Sequence, residues 1–387
     1  MRVSSPKMHR IRLGIACALF VLGLPIVVPA ANSTLWLVTV FVTEWAHWLA
    51  VFPLALLIWE LRRGCGRWRL PTSLLCLVAT CLYCLPLAEA ISIAHTLPSA
   101  LKQAFGAGPQ NAGEFPIRIK KLWSWPRPAG VRVEGFHYTT ADGTSLALDF
   151  YSSMNRGRLP CIVVIHGGAW VIGNEKELTW WDPILAGLGC RVASIAYRLV
   201  PKSHWPAQKE DLEAALAYLK AHASELGIDE TRFVLLGRSA GGQIALAAAY
   251  GLHDPSIKGC IAEYPITDMK FDYALDQAHS IIPTRQVITA LMGAGPEAAS
   301  QLYRDASAMD LAGPDSPPTL LVHGTRDELV WIEDSRRLRD RLVQVRRPVY
   351  LLELPWATHG FDANPSGPAG QLDLYAITWF LGSVLHR

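Results

Sequence analysis

Ser239 lies in the most distinctive pattern of reactive residues in this chain of 387 residues. It is the centre of a Gly-x-Ser-x-Gly pattern at residues 237–241, which follows an apolar run and precedes an alanine-rich stretch. A strand, a sharp turn and a helix in that order hold a serine hydroxyl clear of a sheet, and the glycines permit close backbone approach. We predict that Ser239 is a nucleophile, whereas an ordinary turn is the alternative interpretation of the pattern alone.

A serine hydroxyl needs an adjacent base, which a third group orients. Asp327 follows the apolar run 319–323, and His359 follows the apolar run 349–354. We predict that His359 accepts the proton of Ser239 and that Asp327 orients the imidazole. A surface aspartate and a solvated loop histidine are the non-catalytic alternatives. The rival residues are Glu328 and Asp268 for the acid, and His323 and His279 for the base.

Hydrogen-bond donors are also needed for the oxyanion of a tetrahedral intermediate. Gly167, Gly168 and Ala169 follow the apolar run 161–165, and two residues without side chains let backbone amides approach a substrate oxygen. We predict that this loop and the amide of Ala240 form the oxyanion hole. A plain tight turn is the alternative for the glycine pair.

Apolar runs alternate with helical patterns on either side of these residues, which predicts a parallel sheet covered on both faces. A hairpin with its turn at Asp142-Gly143 precedes the sheet, and residues 268–317 are predicted to form a small helical cap. The predicted strands are 133–140, 145–151, 161–166, 190–197, 233–237, 259–264, 319–323 and 349–354; the predicted helices are 206–223, 241–250 and 372–385.

Long apolar stretches occupy the N-terminal quarter of a chain that is 51% hydrophobic and 18% charged. Each is about long enough to cross a hydrocarbon core of about 30 Å as a helix. A competing interpretation treats residues 1–30 as a cleaved signal peptide. The predicted organisation is a membrane anchor at 1–94, with spans at about 13–31, 35–59 and 70–94, a linker at 95–130 and a catalytic domain at 131–387.

Basic residues flank the apolar stretches and predict their orientation by the positive-inside rule. The side that carries them is cytoplasmic, so the catalytic domain is predicted to be extracytoplasmic, or periplasmic in a bacterium. These residues are Arg2, Lys7, Arg10 and Arg12 before the first stretch, and Arg62, Arg63, Arg67 and Arg69 between the second and the third.

Glu44 and His47 lie three residues apart in the second stretch. Ionisable groups in a bilayer are costly and suggest function by default, which here would be transport. The alternative is a mutually hydrogen-bonded pair that packs the helices together.

Net charge and cysteine placement exclude other classes of function. A formal charge of +3 is too small to indicate nucleic-acid binding. The eight cysteines are scattered through apolar segments and do not indicate a disulfide framework.

Five motifs in this order resemble the α/β-hydrolase carboxylesterases, in their hormone-sensitive-lipase-like and acetyl-esterase or feruloyl-esterase-like branches. The resemblance covers residues 131–385 and implies an α/β-hydrolase fold with a Ser-His-Asp triad and no metal or organic cofactor. Ala169 stands where the lipase-like branch has a third glycine, and Arg238 either favours an anionic substrate or pairs with the cap. The motifs are His-Gly-Gly-Ala-Trp at 166–170, Tyr-Arg-Leu-Val-Pro at 197–201, Gly-Arg-Ser-Ala-Gly-Gly at 237–242, His-Gly-Thr-Arg-Asp at 323–327 and Thr-His-Gly-Phe at 358–361.

The function expected from these features is that of a membrane-tethered serine hydrolase that cleaves a small-molecule or lipid carboxylic ester through an acyl-enzyme. An amidase or peptidase of the same fold is one alternative. A non-catalytic binding module that retains the fold is the other.

Overall fold

One eight-stranded sheet forms the centre of the computed structural model, which describes residues 6–64, 66–109, 114–126, 128–155, 157–275 and 280–385. The strand order is β1-β2-β4-β3-β5-β6-β7-β8. Pairs β1–β2 and β2–β4 are antiparallel, and the remaining pairs are parallel. The strands are β1 Val131–Thr139, β2 Ser145–Ser153, β3 Leu159–Ile165, β4 Arg191–Ile195, β5 Ile228–Arg238, β6 Ile257–Glu263, β7 Thr319–Gly324 and β8 Val349–Leu354.

Helices cover both faces of the sheet because successive side chains of a strand point to opposite sides. In β3, Val163 and Ile165 belong to one hydrophobic cluster, and Ile162 and Val164 belong to the other. The predicted mostly parallel sheet, buried on both faces, is therefore confirmed. The helices after the sheet begins are α6 Trp181–Ala186, α7 Ala207–Ala221, α8 Ala223–Leu226, α9 Ala240–Gly251, α10 Met269–Ala274, α11 Thr284–Met292, α12 Ser300–Asp305, α13 Ala308–Leu311, α14 Ile332–Gln344 and α15 Pro368–Leu385.

In the described part of the chain, five α-helices precede the sheet. Lys7–Ile26 and Arg69–Phe105 are long and apolar enough to cross a membrane. The predicted second span is instead a bent pair, in which Ser33–Glu44 meets Ala46–Arg62 at 73°. Two described helices are thus long and apolar enough to cross a membrane, or three if the bent pair counts as one span, and the three-span count stays a prediction. These helices are α1 Pro6–Gly23, α2 Ser33–Glu44, α3 Ala46–Leu49, α4 Val51–Arg63 and α5 Arg69–Phe105.

Helix α5 packs against both the N-terminal helices and the sheet domain. Its 37 residues span about 55 Å, more than the hydrocarbon thickness of about 30 Å. It continues to Phe105, beyond the predicted end at residue 94. Leu97, Leu101 and Phe105 are buried in the hydrophobic cluster that also contains α15. The first part of the predicted linker is therefore helix packed on the sheet domain.

Glu44 and His47 do not form the predicted mutual pair. The helix breaks at Trp45, so the two residues do not share one helical face. His47 Nε2 contacts the carbonyl oxygen of Leu122 at 2.8 Å, and His47 Nδ1 has no hydrogen-bond partner among the described residues. The backbone carbonyl of Glu44 accepts a hydrogen bond from Asn364 at 3.0 Å. Both residues therefore attach α2 and α3 to the rest of the chain.

Candidate active site

Ser239 lies in the sharp turn between β5 and α9. Its backbone has φ 52° and ψ −118°, a conformation that is costly for a residue with a side chain. A Cβ atom on Gly237 would lie 2.1 Å from the carbonyl oxygen of Gly241, and one on Gly241 would lie 2.2 Å from that of Ile165. Glycine is required at both positions because strand and helix backbones touch there.

The structure brings the three predicted catalytic side chains together. His359 Nε2 lies 2.9 Å from the hydroxyl oxygen of Ser239, and His359 Nδ1 lies 2.6 Å from Asp327 Oδ2. Both distances are those of hydrogen bonds. A neutral imidazole that donates its Nδ1–H to the carboxylate presents Nε2 as an acceptor for the serine proton.

Asp327 is held as a carboxylate by its neighbours. Its Oδ1 accepts hydrogen bonds from the amides of Leu329 and Val330, at 2.8 and 2.9 Å. Burial by itself would raise the pKa of Asp327, but the charge of His359 and hydrogen bonds from His323 and His359 outweigh it and hold that pKa below its usual range. The carboxylate therefore stays charged at neutral pH.

The rival residues have other partners. Glu328 accepts hydrogen bonds from the amide of Ala30 and the hydroxyl of Thr358. Asp268 caps α10. His323 Nε2 contacts the Val330 carbonyl at 3.0 Å and lies 3.3 Å from Asp327 Oδ2. His323 therefore contacts the predicted acid and is not placed beside Ser239 as a base. The fourth rival, His279, lies outside the described residues.

The glycine loop after β3 forms one wall of a cavity of about 470 Å³ that also contains Ser239 and His359. Gly168 has φ +97°, and a Cβ there would lie 2.1 Å from the Ile172 carbonyl oxygen. The amides of Gly168 and Ala169 donate no hydrogen bond to another described residue. Ala240 is the first residue of α9, and the first amides of a helix have no partner within the helix. The amide of Gly167 differs, because it donates to Glu177 Oε2 at 2.5 Å. Three of the four predicted oxyanion donors are thus free to bind substrate.

The amino-acid sequence places this site in a known group of proteins, because a profile of the BD-FAE family matches residues 148–342. The chain belongs to the BD-FAE family. This match spans β3, the glycine loop, Ser239 and Asp327. His359 lies beyond the matched residues.

Relatives of this BD-FAE chain in Mycobacterium tuberculosis are named as esterases. It is 32% identical over 244 residues to "Probable carboxylic ester hydrolase LipM". This match covers 59% of this chain and 55% of that protein. It is 30% identical over 244 residues to "Esterase LipC", with 59% of each chain covered. The chain thus spans little more than half the length of these relatives.

Solved structures show the same fold. "Bacterial Heroin Esterase" matches with a TM-score of 0.57 at 24% identity, over 76% of this chain and 97% of that one. "Brefeldin A esterase, a bacterial homologue of human hormone sensitive lipase" also has a TM-score of 0.57, at 18% identity over 78% and 87% of the chains. The predicted α/β-hydrolase fold is confirmed.

Arg238 of this BD-FAE chain is buried beneath the site, with 1% of its surface exposed. Its Nε lies 2.6 Å from Asp362 Oδ2 and 3.0 Å from Glu263 Oε2. Tyr264, whose ring centroid is 4.3 Å from that of His359, donates its hydroxyl to Asp362. Arg238 therefore pairs with buried carboxylates rather than with the cap.

Two contacts at the site involve residues that no sequence pattern marks as functional. Glu177 binds the glycine loop, and the indole Nε1 of Trp36 donates to the carbonyl oxygen of His359 at 3.0 Å. Neither residue lies in a recognised motif. Within the described part of the chain, no cluster of three His, Cys, Asp or Glu side chains has the arrangement of a metal site.

Gly168→Ala is expected to lower kcat by about 10²–10³-fold, the usual effect of a lost oxyanion donor. The new methyl group would strike the Ile172 carbonyl and move the loop amides. Gly143→Ala is the matched control, since Gly143 also has a positive φ, +86°, but a Cβ there meets nothing within 4 Å. Steady-state ester hydrolysis measures both variants, and equal losses in the two would contradict this role for Gly168.

Proposed function

We propose that this protein is a membrane-tethered serine carboxylic-ester hydrolase. The observation that carries the proposal is the hydrogen-bonded series from Ser239 through His359 to Asp327, at 2.9 and 2.6 Å, at the wall of an apolar cavity. The esterase names of the relatives support the same class of reaction.

In the first step, His359 Nε2 takes the hydroxyl proton as Ser239 Oγ bonds to the ester carbonyl carbon. The negative oxygen of the tetrahedral intermediate accepts hydrogen bonds from the amides of Gly168, Ala169 and Ala240. The C–O bond to the alcohol breaks, and the alcohol leaves with the proton held by His359. An acyl-enzyme on Ser239 remains.

In the second step, His359 takes a proton from water, whose oxygen attacks the acyl carbon. The bond to Ser239 Oγ breaks, and His359 returns the proton to the serine. One ester and one water thus yield one carboxylic acid and one alcohol. Asp327 stays ionised throughout and stabilises the imidazolium that forms in each step.

The apolar N-terminal helices support the proposed tether, and the placement of basic residues supports the proposed side of the membrane. Lys7 and Arg10 lie at the start of α1, Arg67 precedes α5 and Arg69 is its first residue, so these ends are cytoplasmic by the positive-inside rule. The sheet domain follows the opposite end of α5 and is therefore extracytoplasmic. A reporter fused after Arg387 that works only in the cytoplasm would overturn this orientation.

The proposal is tested with the full-length chain in detergent or nanodiscs. We expect turnover of p-nitrophenyl acyl esters and labelling by a fluorophosphonate, with one adduct per chain on the peptide that contains Ser239. Pretreatment with the fluorophosphonate should abolish turnover. If no ester from acetate to palmitate is hydrolysed and Ser239 is not labelled, the chain is a binding module of this fold instead.

A further inference from the structure

The cavity above Ser239 is built from two distant parts of the chain. The sheet domain contributes the glycine loop, His359 and apolar side chains that include Val287 and Ile288 of α11. Helix α2 contributes Trp36, Leu37 and Val40. One wall of the candidate active site is therefore a helix from the apolar N-terminal region.

Hydrogen bonds fix α2 in this position at both of its ends. The amide of Ala30, just before the helix, donates to Glu328 at 3.0 Å. The Trp36 indole in its first turns donates to the His359 carbonyl at 3.0 Å. At the other end, Asn364 donates to the carbonyl of Glu44 at 3.0 Å. Since Glu328 follows the predicted acid Asp327 and His359 is the predicted base, α2 is part of the site's framework.

The outer surface of α2 is apolar and uncovered. Leu35, Leu37 and Phe41 are 43%, 60% and 50% exposed. Across the cavity mouth, Val171 and Ile172 of the loop after Trp170 are 40% and 66% exposed. Apolar surface of this extent marks contact with a membrane or a partner. The neighbouring helices α1 and α5 have the composition of membrane spans, so a bilayer is the surface available to α2.

Leu37 and Ile172 connect this outer surface to the cavity. Each side chain lines the cavity and is also exposed at its mouth. Together these two side chains define an apolar path between the outer surface of α2 and the cavity that contains Ser239. A substrate that already resides in the bilayer would follow this path without passing through water.

We propose that the substrate is a long-chain acyl ester resident in the membrane, whose acyl chain enters between α2 and the 171–172 loop and lies against Leu37 and Val40. This inference rests on the proposed esterase function, and it adds the substrate class and the role of α2 in specificity. Each methylene buried along the path is worth about fourfold in kcat/KM at the usual hydrophobic transfer energy. Filling the path should therefore penalise long acyl chains and spare short ones.

The test uses the full-length chain in phosphatidylcholine vesicles with two substrates, p-nitrophenyl butyrate and p-nitrophenyl palmitate. The variants are Leu37→Trp and Val40→Trp, which narrow the path. The control is Leu74→Trp, because Leu74 is a similarly exposed residue of α5, at 57%, that does not line the cavity. We expect the palmitate-to-butyrate ratio of kcat/KM to fall at least tenfold in both path variants and to change less than twofold in the control.

The outcomes separate this inference from the function on which it rests. Absence of hydrolysis of both butyrate and palmitate esters in the unmodified protein would overturn the esterase function itself. Normal butyrate hydrolysis with an unchanged palmitate-to-butyrate ratio in Leu37→Trp would overturn the proposed path. If Val40→Trp also loses butyrate hydrolysis through misfolding, Leu37→Trp alone decides, since its side chain is mostly exposed.

Discussion

Replacing Ser239 with alanine is expected to lower kcat for ester hydrolysis by about 10⁶-fold, the effect of removing the nucleophile from such a triad. Alanine keeps the Cβ atom and the strained turn but has no oxygen to bond to the acyl carbon. The fold should be unchanged because the hydroxyl's contact is with His359, which Asp327 holds independently. Initial rates with p-nitrophenyl butyrate, measured over the uncatalysed background, give the loss.

Ser203→Ala is the matched control for this experiment. Ser203 is half-buried in the loop before α7 and does not line the cavity, so its variant should retain at least half of the activity. The Ser239 variant should also take up no fluorophosphonate. More than one tenth of the original activity in Ser239→Ala would contradict the assignment of this residue as the nucleophile.

The sheet and the meeting of the three predicted catalytic side chains could be anticipated because their signals are local. Each apolar run of four to six residues matches one buried strand, and the residues that end β5 and follow β7 and β8 meet at the same edge of a parallel sheet. The steric need for glycine beside Ser239 is equally local, since Gly237 and Gly241 contact the backbone of the same turn and of β3.

Helix α14, at Ile332–Gln344, shows what a local signal can miss. The local pattern predicts no element there, because this stretch is dominated by arginine and acidic residues. Its buried side chains, among them Leu338 and Leu342, nevertheless follow helical spacing. The narrow apolar face is enough for the helix to pack beside β7 and β8.

The bend at Trp45 and the docking of α2 could not be predicted from local patterns. No proline or glycine marks the bend, so residues 35–59 have the composition of one continuous span. The Trp36–His359 hydrogen bond joins residues 323 positions apart, and Trp36 has the features of a membrane-interface anchor in the sequence. Such contacts depend on how two parts of the chain that are distant in sequence meet.

Asp327→Asn is expected to lower kcat by about 10⁴-fold while leaving KM little changed. An amide at this position can donate to His359 Nδ1, which leaves the proton on Nε2, and that nitrogen then cannot accept the proton of Ser239. Asp268→Asn is the control, because Asp268 caps α10 and its asparagine variant keeps a cap, so activity should change less than twofold.

The pH profile of the unmodified protein gives an independent test of the same residue. Since the pKa of Asp327 lies below its usual range, lowering the pH from 7 to 5 leaves the carboxylate charged, and this group adds no step to the activity profile there.

A carboxylate with a depressed pKa stabilises the fold above its unfolded-state pKa of about 4, and that contribution is lost only as the pH falls further, through the lower folded-state value. Asp327→Asn should therefore reduce the stability of the protein at pH 7 more than at pH 3. Thermal unfolding in detergent at the two pH values measures this difference. An equal loss of stability at both pH values would mean that the contacts of His359 and His323 with the charged form of Asp327 do not stabilise the fold.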